Sequence, residues 1–213
     1  HEQLTTRMLC SLAKVDMQKV NTGETTEEDL LVLSDALLTL SDSKMYIDDS
    51  GNLSVADIRS RCRRQQTRYG LDLVIVDYLG LLQLGNKRGS LVADIAEATR
   101  ALKILAKELQ VPIMLLCQLS RGSESRKENG YRPILADLRD SGAIEQDADM
   151  VLLLYRKALA MRNRKDDSEY GGAPAEEIED NTAEVIVAKN RNGPLKTVNL
   201  AFQGMFSRFV NPS

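Results

Sequence analysis

The sequence predicts an α/β fold on a largely parallel sheet, and three observations carry that reading. Three near-continuous apolar runs, Leu71 to Val76, Val111 to Cys117 and Met150 to Tyr155, have the length and content of strands buried on both faces. A long amphipathic stretch, Leu91 to Leu109, separates the first two, which is the strand-helix-strand order of a crossover unit. Aromatic residues are only 4% and Trp is absent, so apolar volume must come from Leu, Ile, Val, Ala and Met, the filling of helices packed on a sheet.

Taken in order, Leu4, Met8, Leu12 and Val15 recur at helical spacing. Thr25-Thr26-Glu27-Glu28-Asp29 is a capped start for a second helix to about Leu40, since Thr and carboxylates suit the positive end of a helix. The two form an α-hairpin. Met45-Tyr46-Ile47 reads as a short buried strand before the turn cluster Asp48 to Asn52. Ser54 to Arg68 is a further helix whose Arg59, Arg61, Arg63, Arg64 and Arg68 read either as a solvated face or as a DNA or subunit contact. Leu71 to Asp77 is a central strand ending in a carboxylate. In the helix Leu91–Leu109, Ile95, Leu102, Leu105 and Leu109 point inward and Lys103, Lys107 and Glu108 outward. The next strand opens with Pro112, where a missing N–H does little harm.

Ser120 to Arg132 is too hydrophilic to pack and reads as a mobile functional loop. The strand Met150 to Tyr155 follows, then a second polar insertion, Arg162 to Asp180. Ala183 to Ala188 and Thr197 to Phe202 flank Asn192-Gly193-Pro194, a strong turn signal, and so form a terminal hairpin. Phe206 and Phe209 close the sheet edge.

Composition narrows the function class. With 213 residues the chain suits one domain with extensions. A net charge of −3 excludes a globally basic nucleic-acid binder but not a local basic surface. Cys10, Cys62 and Cys117 show no CxxC spacing, which supports neither a disulfide framework nor a zinc knuckle and fits a reducing cytosol. No apolar run of membrane-spanning length occurs, so no membrane partner is expected and the cytoplasm is the expected compartment.

Several residues could carry chemistry. Asp77, at the end of an apolar strand, has the placement needed to hold Mg²⁺ through its water shell, or it is a cap or loop ligand. Gln118 ends the neighbouring strand and would bring a neutral amide to the same crevice, or it is an ordinary polar terminus. The charged string Asp137 to Asp149 is longer than a strand connection needs. Ser141-Gly142 offers backbone N–H groups and Arg139 a charge for phosphate; the plain alternative is a loop followed by an acidic helix start. Lys189 and Arg191 flank Asn190 beside the terminal turn, where cations can reach a nucleotide on a neighbouring subunit, although basic residues are common on turns.

Four strings in this order and spacing, LVIVDYL at Leu73 to Leu79, PIMLLCQLSR at Pro112 to Arg121, LRDSGAIEQDAD at Leu138 to Asp149 and KNRNGP at Lys189 to Pro194, resemble the later motifs of the DnaB family of replicative DNA helicases. The resemblance runs from TRML at Thr6 to Leu9 to SRF at Ser207 to Phe209. It implies a RecA-like P-loop NTPase core that works with ATP and Mg²⁺ as a homo-hexameric ring, translocating 5′ to 3′ on single-stranded DNA. Under it, Asp77 matches the Walker B aspartate, Gln118 the sensor of the γ-phosphate, and Lys189 and Arg191 the pair that reaches the γ-phosphate of the adjacent subunit. Arg139, Asp140 and Gly142 match the channel segment that follows the DNA backbone. Ser120 to Arg132, with Arg121 at its start, matches the other channel loop. An acidic net charge is then no objection, because phosphate contacts act locally.

One departure is large: no GxxxxGK[ST] string occurs in the sequence. The resemblance places that P-loop and the catalytic glutamate ahead of His1, together with the helical domain that engages primase and helicase loader. Residues 1–213 then read as a partial C-terminal motor domain without appreciable ATPase of its own, and loss of the P-loop strand should expose apolar surface on its neighbours. Two alternatives stay open, a RecA-like recombinase-type ATPase and a P-loop-less paralogue that only binds DNA or modulates a ring.

Overall fold

The computed structural model describes residues 2–84, 90–120, 131–162 and 181–212, with backbone only at 139–141 and 161–162. In chain order the elements are α1 (Glu2–Ala13), α2 (Met17–Thr22), α3 (Glu27–Ser41), α4 (Val55–Tyr69), β1 (Val74–Val76), α5 (Leu91–Leu109), β2 (Ile113–Leu115), α6 (Gly142–Asp147), β3 (Met150–Tyr155), α7 (Lys157–Arg162), β4 (Thr182–Asn190), β5 (Thr197–Gln203) and β6 (Arg208–Val210). Among the described residues, 3₁₀ segments lie at Leu79–Leu81, Leu135–Ser141 and Gly204–Phe206. The strands form a two-stranded sheet, β1-β2, and a four-stranded sheet ordered β3-β4-β5-β6. Backbone contacts divide the chain into two compact units, one of His1–Asp49, Leu154–Val185 and Thr197–Ser213, the other of Ser50–Leu153 and Ile186–Lys196.

In the first unit, α3 starts at Thr26 through a reciprocal cap. The Thr26 hydroxyl accepts from the Asp29 N–H at 3.1 Å, and the Asp29 carboxylate accepts from the Thr26 N–H at 3.0 Å. Those bonds hold the Asp29 carboxyl below its ordinary pKa. The sequence reading runs from α1 directly to the linker before α3, and α2 is an addition: Asp16 accepts from the Gln18 N–H at 2.8 Å, and Gly23 closes the helix at φ 78°. The expected strand at Met45-Tyr46-Ile47 is absent. All three residues are exposed and irregular, because three apolar residues form a strand only beside a partner that takes their backbone groups. β6 pairs antiparallel with β5, Phe202 opposite Phe209, and their rings lie 4.8 Å apart. Phe209 thus sits on the edge strand, with Phe206 in the 3₁₀ turn before it. Arg156 lays its guanidinium over the Phe202 ring at 3.6 Å.

In the second unit, β1 and β2 run parallel in the register Val74↔Ile113, Ile75↔Met114, Val76↔Leu115. Both apolar runs are shorter as strands than the sequence predicts, while Leu71 and Val111 join the core beside them. α5 occupies residues 91–109 as expected and covers one face of the pair, packing Leu102, Leu105 and Leu109 against Ile58, Val76 and Val111. The other face keeps Ile75 and Met114 exposed. α4 is started by Ser54, whose hydroxyl accepts from the Asp57 N–H at 3.2 Å while Asp57 accepts from the Ser54 N–H at 2.9 Å.

On the polar face of α5, Lys107 and Glu108 are exposed as expected, and Glu108 and Lys103 also make ion pairs. Glu108 receives Arg59 at 2.7 Å and also Arg63, so part of the α4 arginine face clamps α4 to α5 and holds the Glu108 carboxyl low, chiefly through Arg59. Lys103 likewise pairs with Asp149. Helical periodicity sorts apolar from polar positions but does not say which polar positions meet a neighbouring element.

Candidate functional site

Parallel pairing brings the carboxyl ends of β1 and β2 to one edge, and Asp77 and Gln118 follow there, both exposed. The ladder continues past the strands around Asp77: the Leu116 N–H donates to the Val76 carbonyl at 2.9 Å, and the Leu79 N–H to the Leu116 carbonyl at 2.9 Å. The Asp77–Tyr78 peptide bond is cis. Among the described residues no group of three His, Cys, Asp or Glu side chains could cage a metal ion. Asp77 brings one carboxylate to this edge, a donor compatible with a Mg²⁺ that also takes water and substrate phosphates as ligands.

Between β2 and β3 the sequence reading weighed a phosphate-contacting segment against a loop followed by an acidic helix start. The backbone forms the 3₁₀ segment Leu135–Ser141 running into α6, whose first turn carries Glu145. Asp137, 2% exposed, anchors its beginning: the carboxylate accepts from the Ile134 N–H at 2.8 Å and its carbonyl from the Ser120 N–H at 3.0 Å. Leu138 packs against Val151 and Leu153 of β3. Arg139 and Asp140 lie on the 3₁₀ segment, their side chains outside the described residues, as is Arg121 altogether. Gly142 begins α6 at φ −50°, with nothing within 4 Å of where a Cβ would stand, so neither backbone nor space requires glycine here.

The far end of the segment is held by two other elements. From α5, the Thr99 hydroxyl donates to the Asp147 carboxylate at 2.8 Å and Lys103 pairs with Asp149. From the hairpin, Lys189 donates to the Glu145 carbonyl, while Arg191 donates to the Gln146 carbonyl and to Asp149 at 3.2 Å. The Arg191 N–H also donates to the Asp149 carbonyl at 2.9 Å. Cations at the last carbonyls of α6 satisfy groups that a helix end leaves open. Lys103 first, then Arg191, hold the Asp149 carboxyl below its ordinary pKa.

Local chemistry shapes the hairpin tip. Asn190 accepts from the Asn192 N–H at 3.2 Å, and a Cβ at residue 193 would meet the Asn190 amide nitrogen at 2.8 Å, so a side chain there would displace the Asn190 amide. Asp77 and Gln118 thus share one strand edge, while Lys189 and Arg191 find their partners at the end of α6. The sequence reading gave no role to Thr99, Lys103, Asp147 or Asp149. The available signal was the spacing of Thr99 and Lys103, four apart on one face of α5, opposite the alternating acids Asp147 and Asp149.

Comparison with known proteins agrees along the whole length. Residues 1–211 match the family model described as "DnaB-like helicase C terminal domain". The chain is 43% identical over 209 residues to the replicative DNA helicase DnaB of Leifsonia xyli, covering 98% of this chain and 42% of that protein. It is 43% identical over 211 residues to the replicative DNA helicase DnaC of Bacillus subtilis, covering 99% and 43%. It thus spans less than half the length of these relatives. Among solved structures, one titled as an ATPase domain superposes at TM-score 0.83 with 35% identity, covering 100% of this chain and 71% of that one. A structure titled as a DnaB-like replicative helicase and its interactions with primase superposes at 0.82 with 35% identity, covering 98% and 47%. Among the described residues no helix is long and apolar enough to cross a membrane.

Proposed function

The chain belongs to the DnaB-like helicase C-terminal domain family, and from that premise we propose that it is the later part of the motor domain of a replicative DNA helicase. The parent protein works in the cytoplasm as a homo-hexameric ring, moves 5′ to 3′ along single-stranded DNA on ATP hydrolysis, and meets primase and a helicase loader through its other regions. The observation that carries the reading is the match over residues 1–211, with LRDSGAIEQDAD and KNRNGP joined in space through Arg191, Gln146 and Asp149. A recombinase-type role is not favoured, because the relatives are named as replicative helicases.

The family motifs suggest a role for each residue. Asp77 would hold Mg²⁺, and that ion would supply charge neutralisation on the nucleotide's phosphates. Gln118, on the same edge, offers an uncharged amide that binds the γ-phosphate oxygens before hydrolysis and not after it. Arg191 and Lys189 present cations on a braced tip to the nucleotide of the adjacent subunit, so hydrolysis on one subunit needs its neighbour. Arg139, Asp140, Gly142 and Arg121 are assigned to DNA binding, with contacts that go to phosphate and are indifferent to sequence. The phosphate cradle comes from the remainder of the parent protein.

The test is Arg191→Ala in the full-length ring, assayed for ATPase and for strand displacement on a forked duplex. Turnover should fall roughly 10³-fold or more, as for loss of an arginine finger, with nucleotide binding retained. A loss of less than about tenfold would overturn the finger assignment. Full ATPase without strand displacement by the native ring would overturn the helicase reading.

A further inference from the structure

Arg191 is more tightly specified than a surface cation on a turn needs to be. Asp149, the residue before β3, binds it twice: its carbonyl accepts the Arg191 backbone N–H at 2.9 Å, and its carboxylate accepts from Nη1 at 3.2 Å. Nη2 donates to the Gln146 carbonyl. Among the described residues each terminal nitrogen thus uses one N–H on the chain's own acceptors, and the side chain remains 47% exposed. A guanidinium carries five N–H donors in a fixed plane, so one held this way can still offer the others outward. Lys103, only 23% exposed, approaches the same carboxylate from α5. Two cations around one anion keep the cluster net positive, so Asp149 does not cancel the charge that Arg191 presents.

We propose that Asp149 is the positioning residue of the hairpin cation, holding the Arg191 guanidinium at a fixed angle so that its remaining donors meet the phosphoanion bound by the adjacent subunit. The proposal rests on the finger reading of Arg191. Physically, the carboxylate pre-organises a long side chain that would otherwise sample many rotamers, and Lys103 keeps that carboxylate in place from the opposite side. A misplacement of about 1 Å in such a group costs on the order of 100-fold in rate. Asp149 is itself 53% exposed, so its truncation leaves no buried cavity to unfold the unit.

The test is a double-mutant cycle in the full-length hexameric ring: native, Asp149→Ala, Arg191→Ala and the combination. It is read by single-turnover hydrolysis of labelled ATP with the ring in excess, so that slow backgrounds remain readable, and by steady-state kinetics. Asp149→Ala should lower kcat about 10- to 100-fold with KM for ATP changed less than about threefold, and sedimentation should show an intact ring. In the Arg191→Ala background it should cost nothing further, because Asp149 acts only through the guanidinium. Losses that multiply across the cycle, a loss confined to KM, or an unchanged kcat each overturn the proposal. Should Asp149→Ala fail to assemble, Asp149→Leu, which is similar in size but accepts no hydrogen bond, enters the same cycle under the same criteria. Undiminished turnover in Arg191→Ala alone would instead remove the finger reading, a failure distinguishable from that of the positioning role.

Discussion

Thr99→Val tests whether α5 holds the charged segment in place. Thr99 is 5% exposed, and its hydroxyl donates to the Asp147 carboxylate at 2.8 Å, with the Ala96 carbonyl also within reach at 3.2 Å. Valine keeps the shape and the β-branch, so helix propensity is nearly unchanged. What is lost is a hydrogen bond to a charged acceptor, about 1.5–3 kcal/mol where the carboxylate stays desolvated. The added methyl returns about 0.8 kcal/mol, leaving a net destabilisation of about 1–2 kcal/mol. With an m-value of about 2 kcal/mol/M, the urea midpoint followed by circular dichroism should fall about 0.5–1 M. Adding Asp147→Ala should cost less than the sum of the single changes, because donor and acceptor are then removed together. A midpoint within about 0.2 M of native, or strictly additive losses, would refute the clamp. In the full-length ring the same change should weaken single-strand binding, since Arg139 and Gly142 precede the clamped end.

Two further outcomes follow from the second unit. Leu105→Ala empties a side chain 2% exposed between α4, α5 and β1, and should cost about 2–5 kcal/mol in urea unfolding, where less than about 1 kcal/mol would contradict the packing described. Glu108 has a folded pKa lowered by Arg59 and Arg63, so its contribution to stability is full above its unfolded value, about 4.3, and disappears as pH falls through the folded value. Urea midpoints of native and Glu108→Gln proteins should therefore converge on acidification, and a constant gap would argue against the pair.

Much of the fold is legible in the residues themselves. The limits of α5 and β3, the capped starts of α3 and α4 and the turn at Asn192-Gly193 follow from local rules: apolar periodicity, Ser and Thr before an acid three residues on, and a turn residue that tolerates close approach. Asp77 and Gln118 are legible for the same reason, since a residue just past an apolar run falls at a strand end. The strand at Met45-Tyr46-Ile47 fails because a strand is a property of a pair, and α2 is overlooked because two short turns carry too little periodicity to register.

The sequence by itself determined the α/β class, the order of the elements, the hairpin and, through LRDSGAIEQDAD and KNRNGP, the family. Only the tertiary structure decided that these two strings meet, that Arg191 lies on Asp149 and the end of α6, and that Thr99 and Lys103 hold the same acids from behind. The physical reason is range. Caps, turns and periodic faces are fixed by residues a few positions apart, whereas the choice of partner for a charge more than forty residues away depends on which elements the packed core brings within hydrogen-bond distance.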